Sequence, residues 1–132
     1  MNRLVVLLSA VMFVMFLTGA CSSDTTTSPT TGTTETFSGT LVQGAQNSYP
    51  FTTTNSGTVT VTAASLSPAL TVGLAIGTLN GSTCVATTQN AAAQQSGTVT
   101  MAVTSASTYC ALVYDPGSVT QNIVYTITVA LP

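Results

Sequence analysis

The chain has 132 residues, and its charged complement is one arginine and three carboxylates, with no lysine and no histidine. Hydroxyl side chains dominate what remains, as 28 threonines and 14 serines. This length builds one small domain at most, a lone cation excludes binding to a nucleic-acid backbone, and so few acids without histidine or lysine exclude most acid–base, metal and phosphoryl chemistry.

Met1-Asn2-Arg3 places the single positive charge ahead of residues 4–17 (LVVLLSAVMFVMFL), which carry none. A short basic start followed by an apolar stretch is the pattern of a secretory signal. Extended to Ala20 the apolar run is 17 residues, at the lower limit of about 17–25 for a bilayer-spanning helix, and no cluster of Lys or Arg follows it. Leu17-Thr18-Gly19-Ala20-Cys21 resembles a bacterial lipobox, in which small side chains let the extended backbone enter the signal peptidase. That resemblance implies removal of residues 1–20, a diacylglyceryl group on the Cys21 thiol, and Cys21 as the new N-terminus. Lipid then anchors the chain to a membrane, each buried methylene contributing about 0.8 kcal/mol. The next residue is Ser22 rather than Asp, which by resemblance to sorting in enteric bacteria implies the outer membrane or cell surface. The alternatives are an uncleaved membrane helix with an incidental cysteine, or an ordinary secreted protein.

Residues 22–35 (SSDTTTSPTTGTTE) hold no hydrophobic side chain able to anchor a core, so ordering them has no burial to offset its entropy. They read as an extended tether with a typical reach of about 20 Å. The alternative for its last few residues is pairing as an edge strand.

From Thr36 onward the pattern turns to a period of two. Candidate strands are 36–42, 48–54, 58–63, 70–78, 84–88, 98–103, 109–114 and 123–130, separated by turn formers such as Asn55-Ser56-Gly57, Asn80-Gly81, Ser96-Gly97 and Asp115-Pro116-Gly117. Alternation is clearest in Thr58-Val59-Thr60-Val61-Thr62 and Tyr125-Thr126-Ile127-Thr128-Val129, valines and isoleucine inward and threonines outward. Ala91-Ala92-Ala93, short and flanked by Asn and Gln, reads as loop. About eight short β-branched strands predict an all-β fold, an antiparallel sandwich with jelly-roll character, over residues 36–132. One echo stands out: Ser56-Gly57-Thr58-Val59-Thr60-Val61 and Ser96-Gly97-Thr98-Val99-Thr100-Met101 lie 40 residues apart. Two strands that each begin after a glycine turn account for it better than a duplicated half-sandwich.

With Cys21 assigned to lipid, Cys84 and Cys110 remain to pair with each other. Export to an oxidising compartment favours that disulfide, and closing the loop between them stabilises by roughly 3–4 kcal/mol in the chain-entropy model. The alternative is two reduced core thiols. Beyond Arg3 in the leader the sequence has no basic residue to activate either cysteine.

Several segments of the body resemble the bacterial pre-peptidase C-terminal domain family. They are Gly44-Ala45-Gln46-Asn47-Ser48-Tyr49-Pro50-Phe51, Ser56-Gly57-Thr58-Val59-Thr60-Val61, Leu70-Thr71-Val72-Gly73-Leu74, Ser107-Thr108-Tyr109-Cys110-Ala111-Leu112-Val113-Tyr114 and Tyr125-Thr126-Ile127-Thr128-Val129. The resemblance implies a β-sandwich whose first aromatic strand and last Tyr-led strand share one core. It also implies a non-catalytic role, since such modules are appendages of secreted enzymes or surface proteins, and some bind collagen or polysaccharide. Members usually carry an acid near the central strand, whereas Pro68-Ala69-Leu70 carries none, so no calcium role transfers.

The candidate ligand contacts are Tyr114 and Asp115. Asp115 precedes Pro116-Gly117, where aspartate caps a turn more often than it binds calcium, which needs six to eight oxygens. The tyrosines at 49, 109, 114 and 125 either fill the core or stack on sugar rings. The expectation is a lipid-anchored bacterial envelope or surface protein displaying a non-enzymatic structural or interaction module. It has no catalytic residue, metal, cofactor, nucleic acid or small-molecule substrate. A carbohydrate- or protein-polymer-binding module that uses surface tyrosines is the alternative.

Overall fold

The computed structural model describes residues 32–132; the leader, Cys21 and most of the tether lie outside them. The regular elements in this range are strands: β1 (Thr34–Leu41), β2 (Gln46–Thr53), β3 (Gly57–Ser67), β4 (Val72–Asn80), β5 (Thr83–Ala93), β6 (Thr98–Val103), β7 (Ser107–Tyr114) and β8 (Ile123–Ala130). They build two four-stranded sheets, ordered β1-β8-β3-β6 and β2-β7-β4-β5, with every paired neighbour antiparallel. This is the expected β-sandwich, and its strand order is that of an eight-stranded jelly roll. β1 begins at Thr34, so the last two residues assigned to the tether pair with β8 at the edge of the first sheet, Glu35 opposite Val129.

Alternation sets which face is buried. In β3, Val59, Val61 and Ala63 point into the sandwich and are fully buried. Between Ala63 and Ser65 the register with β8 shifts by one residue, and this bulge moves the inward positions from odd to even numbers. Leu66, three residues after Ala63, is buried for that reason. In β8, Ile123, Tyr125, Ile127 and Val129 are all buried and meet Val72, Leu74, Ile76 and Val113 of the facing sheet in one core. Each such side chain, taken fully out of water, contributes about 1.5–3 kcal/mol.

Ala91-Ala92-Ala93 is not a loop but the end of β5, with Ala93 buried opposite Val72. Two register shifts along the β4–β5 ladder, at Val72/Leu74 and at Ile76/Gly77, destroy the strict period of two there. The echoed segments are direct neighbours: β3 and β6 pair antiparallel with Thr60 opposite Thr100.

The outward face of the first sheet is a grid of hydroxyls. One rank crosses all four strands as Thr36, Thr128, Thr62 and Thr98, and in the next row Ser38 and Thr126 hydrogen-bond side chain to side chain at 3.0 Å. Threonine suits this position because its branched carbon favours the strand while its hydroxyl meets water.

Register also sorts the connections. Leu41 pairs with Ile123, Gln46 with Tyr114 and Gly73 with Tyr114, so the loops at 42–45, 68–71, 94–97 and 115–122 share one end of the sandwich. Residues 32–33, Pro132 and the turns at 54–56, 81–82 and 104–106 share the other. There the Leu131 N–H donates to the Thr33 carbonyl at 2.8 Å.

Candidate functional site

The end that carries the 42–45 and 115–122 loops is held by Asp115. Its Oδ2 accepts the Gly44 N–H at 2.8 Å, and its Oδ1 accepts the N–H groups of Gly117 at 2.7 Å and Val119 at 3.0 Å. The Asp115 N–H donates in turn to the Ala45 carbonyl at 3.0 Å. Gly44 and Gly117 have φ of 73° and 97°, a region glycine enters without steric cost, and this lets both loops turn their N–H groups onto one carboxylate. These donors, Gly44 first and then Val119, hold the Asp115 carboxyl below the usual carboxylate range. The side chain therefore joins two loops, with three backbone donors on its two oxygens.

Tyr114, one residue earlier, points outward from the second sheet. It pairs with Gly73 of β4 on one side and Gln46 of β2 on the other. A Cβ on Gly73 would collide with three atoms of the Tyr114 ring, so the ring lies flat on the glycine and turns its other face outward. The phenol hydroxyl donates to Gln89 Oε1 of β5 at 3.4 Å. Tyr114 is partly exposed and Gln46 and Gln89 are exposed.

Below Tyr114 on the same face lies a compact apolar patch of Ala75, Leu112, Leu79 and the Cys84–Cys110 disulfide. Cys110 on β7 pairs with Gly77 of β4, and Cys84 on β5 pairs with Leu79 of β4, so the disulfide crosses over the strand between them. Two strand spacings amount to about 9.6 Å, yet the two Cα atoms are 5.9 Å apart, because β5 leans over β4. Gly77 permits this: a Cβ there would collide with the Val85 backbone.

The other three tyrosines are core residues. Tyr125 and Tyr109 are buried, and Tyr49 packs against the same cluster. The hydroxyls of Tyr49 and Tyr125 are 2.6 Å apart, and Asn47 Nδ2 donates to Tyr125 at 2.6 Å and to the Thr40 carbonyl at 3.0 Å. Burial, followed by the Tyr49 contact, pushes the Tyr125 phenol above its ordinary value. The Tyr109 hydroxyl meets the side chain and N–H of Thr104, at 3.1 and 3.0 Å, and these hold it below its ordinary value.

Among the described residues no pocket opens, and no three His, Cys, Asp or Glu side chains gather. Of the sequence-derived candidates, Cys84 and Cys110 are joined and Tyr114 and Asp115 are adjacent but turned to different tasks; Cys21 lies outside the described residues. The contributions of Gly73, Gln46 and Gln89 were not visible in the chain order. Only the ladder pairing that sets a glycine and a glutamine beside Tyr114 gives them meaning. No protein-family model matches the chain, and no curated protein matches its sequence.

Proposed function

We propose that the chain is an exported bacterial lipoprotein that displays one non-catalytic β-sandwich on a lipid tether, at the outer membrane or cell surface. The observation that carries this reading is an order along the chain: a basic start, an apolar leader, small residues before Cys21, a hydroxyl-rich tether, and a sandwich that begins at Thr34. The disulfide between Cys84 and Cys110 supports it, because such bonds persist in oxidising compartments outside the cytosol. The two-sheet architecture also accords with kinship to pre-peptidase C-terminal modules, which are themselves non-catalytic. With no histidine and no lysine in the chain, no side chain is available to activate its many serines and threonines as nucleophiles.

The sandwich then serves as a structural or interaction module, lifted from the membrane by the tether. Intact-mass analysis of protein extracted from envelopes tests the reading directly. The expected species begins at Cys21, carries acyl chains and lacks two hydrogens for the disulfide. A Cys21→Ser form is expected to lose the acyl mass and the envelope association. If that form is processed normally and stays membrane-bound, the lipoprotein reading fails.

A further inference from the structure

We infer that the outward face of the β2-β7-β4-β5 sheet carries a shallow binding site for a neutral pyranose unit of an uncharged polysaccharide, built on Tyr114 and flanked by Gln46 and Gln89. The inference goes beyond the display role and stands on the sheet geometry, whether or not lipid anchors the chain.

The first observation is how the ring is held. Its inner face rests on Gly73, the one residue type that lets it lie flat, and the phenol hydroxyl is tied to Gln89. An aromatic face fixed in this way and turned outward loses little conformational freedom on binding. The apolar face of a sugar ring, formed by its axial C–H groups, stacks on such a surface.

The second observation is what lies at the ring's edges. Gln46 faces Tyr114 directly across the β2–β7 ladder, a separation of about 4.5–5.5 Å between Cβ atoms, and Gln89 stands on the β5 side. Each amide offers donors and an acceptor beside the ring, where the equatorial hydroxyls of a stacked sugar project.

The third observation is charge. The described residues contain no lysine, arginine or histidine, and the neighbouring carboxylate of Asp115 is engaged by the N–H groups of Gly44, Gly117 and Val119. A polyanion finds no cation among the described residues, and a polycation finds only one carboxylate, whose oxygens are already occupied by backbone N–H groups. An uncharged ligand is the complement of such a surface.

The test is affinity electrophoresis of the full-length protein in mild detergent through native gels containing hydroxyethyl cellulose, galactomannan or soluble starch. Alginate and gelatin serve as the anionic and polypeptide comparisons. Retardation by at least one neutral polysaccharide is expected, with none by alginate or gelatin. Tyr114→Ala is expected to weaken binding about tenfold or more, and Gln46→Ala and Gln89→Ala about two- to tenfold each, the effect of one hydrogen bond. The two glutamines are exposed, so these variants keep the fold even if Tyr114→Ala does not, and unchanged thermal unfolding verifies that. The proposal is overturned if no neutral polymer retards the protein, if both glutamine variants bind as the parent does, or if alginate or gelatin binds with the same dependence on these residues.

Discussion

Gly39 stands within β1, paired with Tyr125, because the hydroxyls of Tyr125 and Tyr49 occupy the space where its side chain would lie, each 2.7 Å from the position of a Cβ. A buried polar pair has thus displaced a strand-forming residue, and Asn47 completes its hydrogen bonds. Asp115 shows the same economy at the surface, one carboxylate closing two loops. Its ordinary pKa is about 3.9, and the folded state lowers it through the N–H groups of Gly44 and Val119 first. A depressed folded value means the unfolded chain binds the proton more readily. The stabilisation is therefore complete above the ordinary carboxylate range and disappears as pH falls through the folded value. Glu35 is the only other acidic side chain among the described residues, and none of them is a histidine, so thermal unfolding is expected to be flat from about pH 5 to 8. Below about pH 4 the Tm should fall, and in Asp115→Asn it should start lower and fall less steeply. A parent Tm that holds constant down to pH 2 would remove this role.

At the scale of the element, β5 is the strand whose placement depends most on a cross-link. It is an edge strand with two register shifts in its single ladder, and the disulfide to β7 holds it leaning over Gly77. Replacing both cysteines by alanine is expected to cost roughly 3–4 kcal/mol, measured by urea unfolding, with amide exchange accelerating most in β5. Equal acceleration in all eight strands would mean that the cross-link acts only on the unfolded chain. The same strand marks where the sequence stops being readable. β6 and β8 follow an unbroken period of two, and their limits are legible in the residues alone. β3 and β5 run past the limits that alternation gives, to Ser67 and Ala93, because a bulge reverses the parity of the buried positions without leaving a mark in composition. The site divides in the same way. The pairing of Cys84 with Cys110 and the turn role of Asp115 follow from residue chemistry. The flat seating of Tyr114 on Gly73 is a property of ladder register between two residues far apart in the chain, which no local pattern encodes.

For the whole molecule the unusual quantity is charge. Within the described residues Glu35 and Asp115 are the only charged side chains, so copies of the domain repel and steer one another only weakly, and a small surface charge favours association. The sheet edges matter accordingly. β2 carries Pro50 and β5 carries its two register shifts, both devices that discourage pairing with another chain. On β1 the Ser38 and Thr40 carbonyls accept from the side chains of Tyr49 and Asn47, which covers part of that edge. β6 has neither proline, charge nor shift; it relies on being six residues long and on Asn90 Nδ2, which donates to the Thr98 carbonyl at 3.0 Å. If β6 is the least guarded edge, one cation there changes association and leaves the fold alone. Thr100→Lys tests this, because Thr100 is exposed on the outward face of β6. Its effect on stability is expected within about 0.5 kcal/mol, as for other surface substitutions. In a form that starts after Cys21, sedimentation velocity is expected to show self-association moving to higher concentration, and added salt is expected to reverse part of that gain as the new charge is screened. Lysine in place of Ser48, on the already guarded β2, serves as the comparison. Because a lysine lowers the net negative charge of the domain, net charge alone would promote association at either position; if Ser48→Lys delays association as strongly as Thr100→Lys, the β6 edge has no special part.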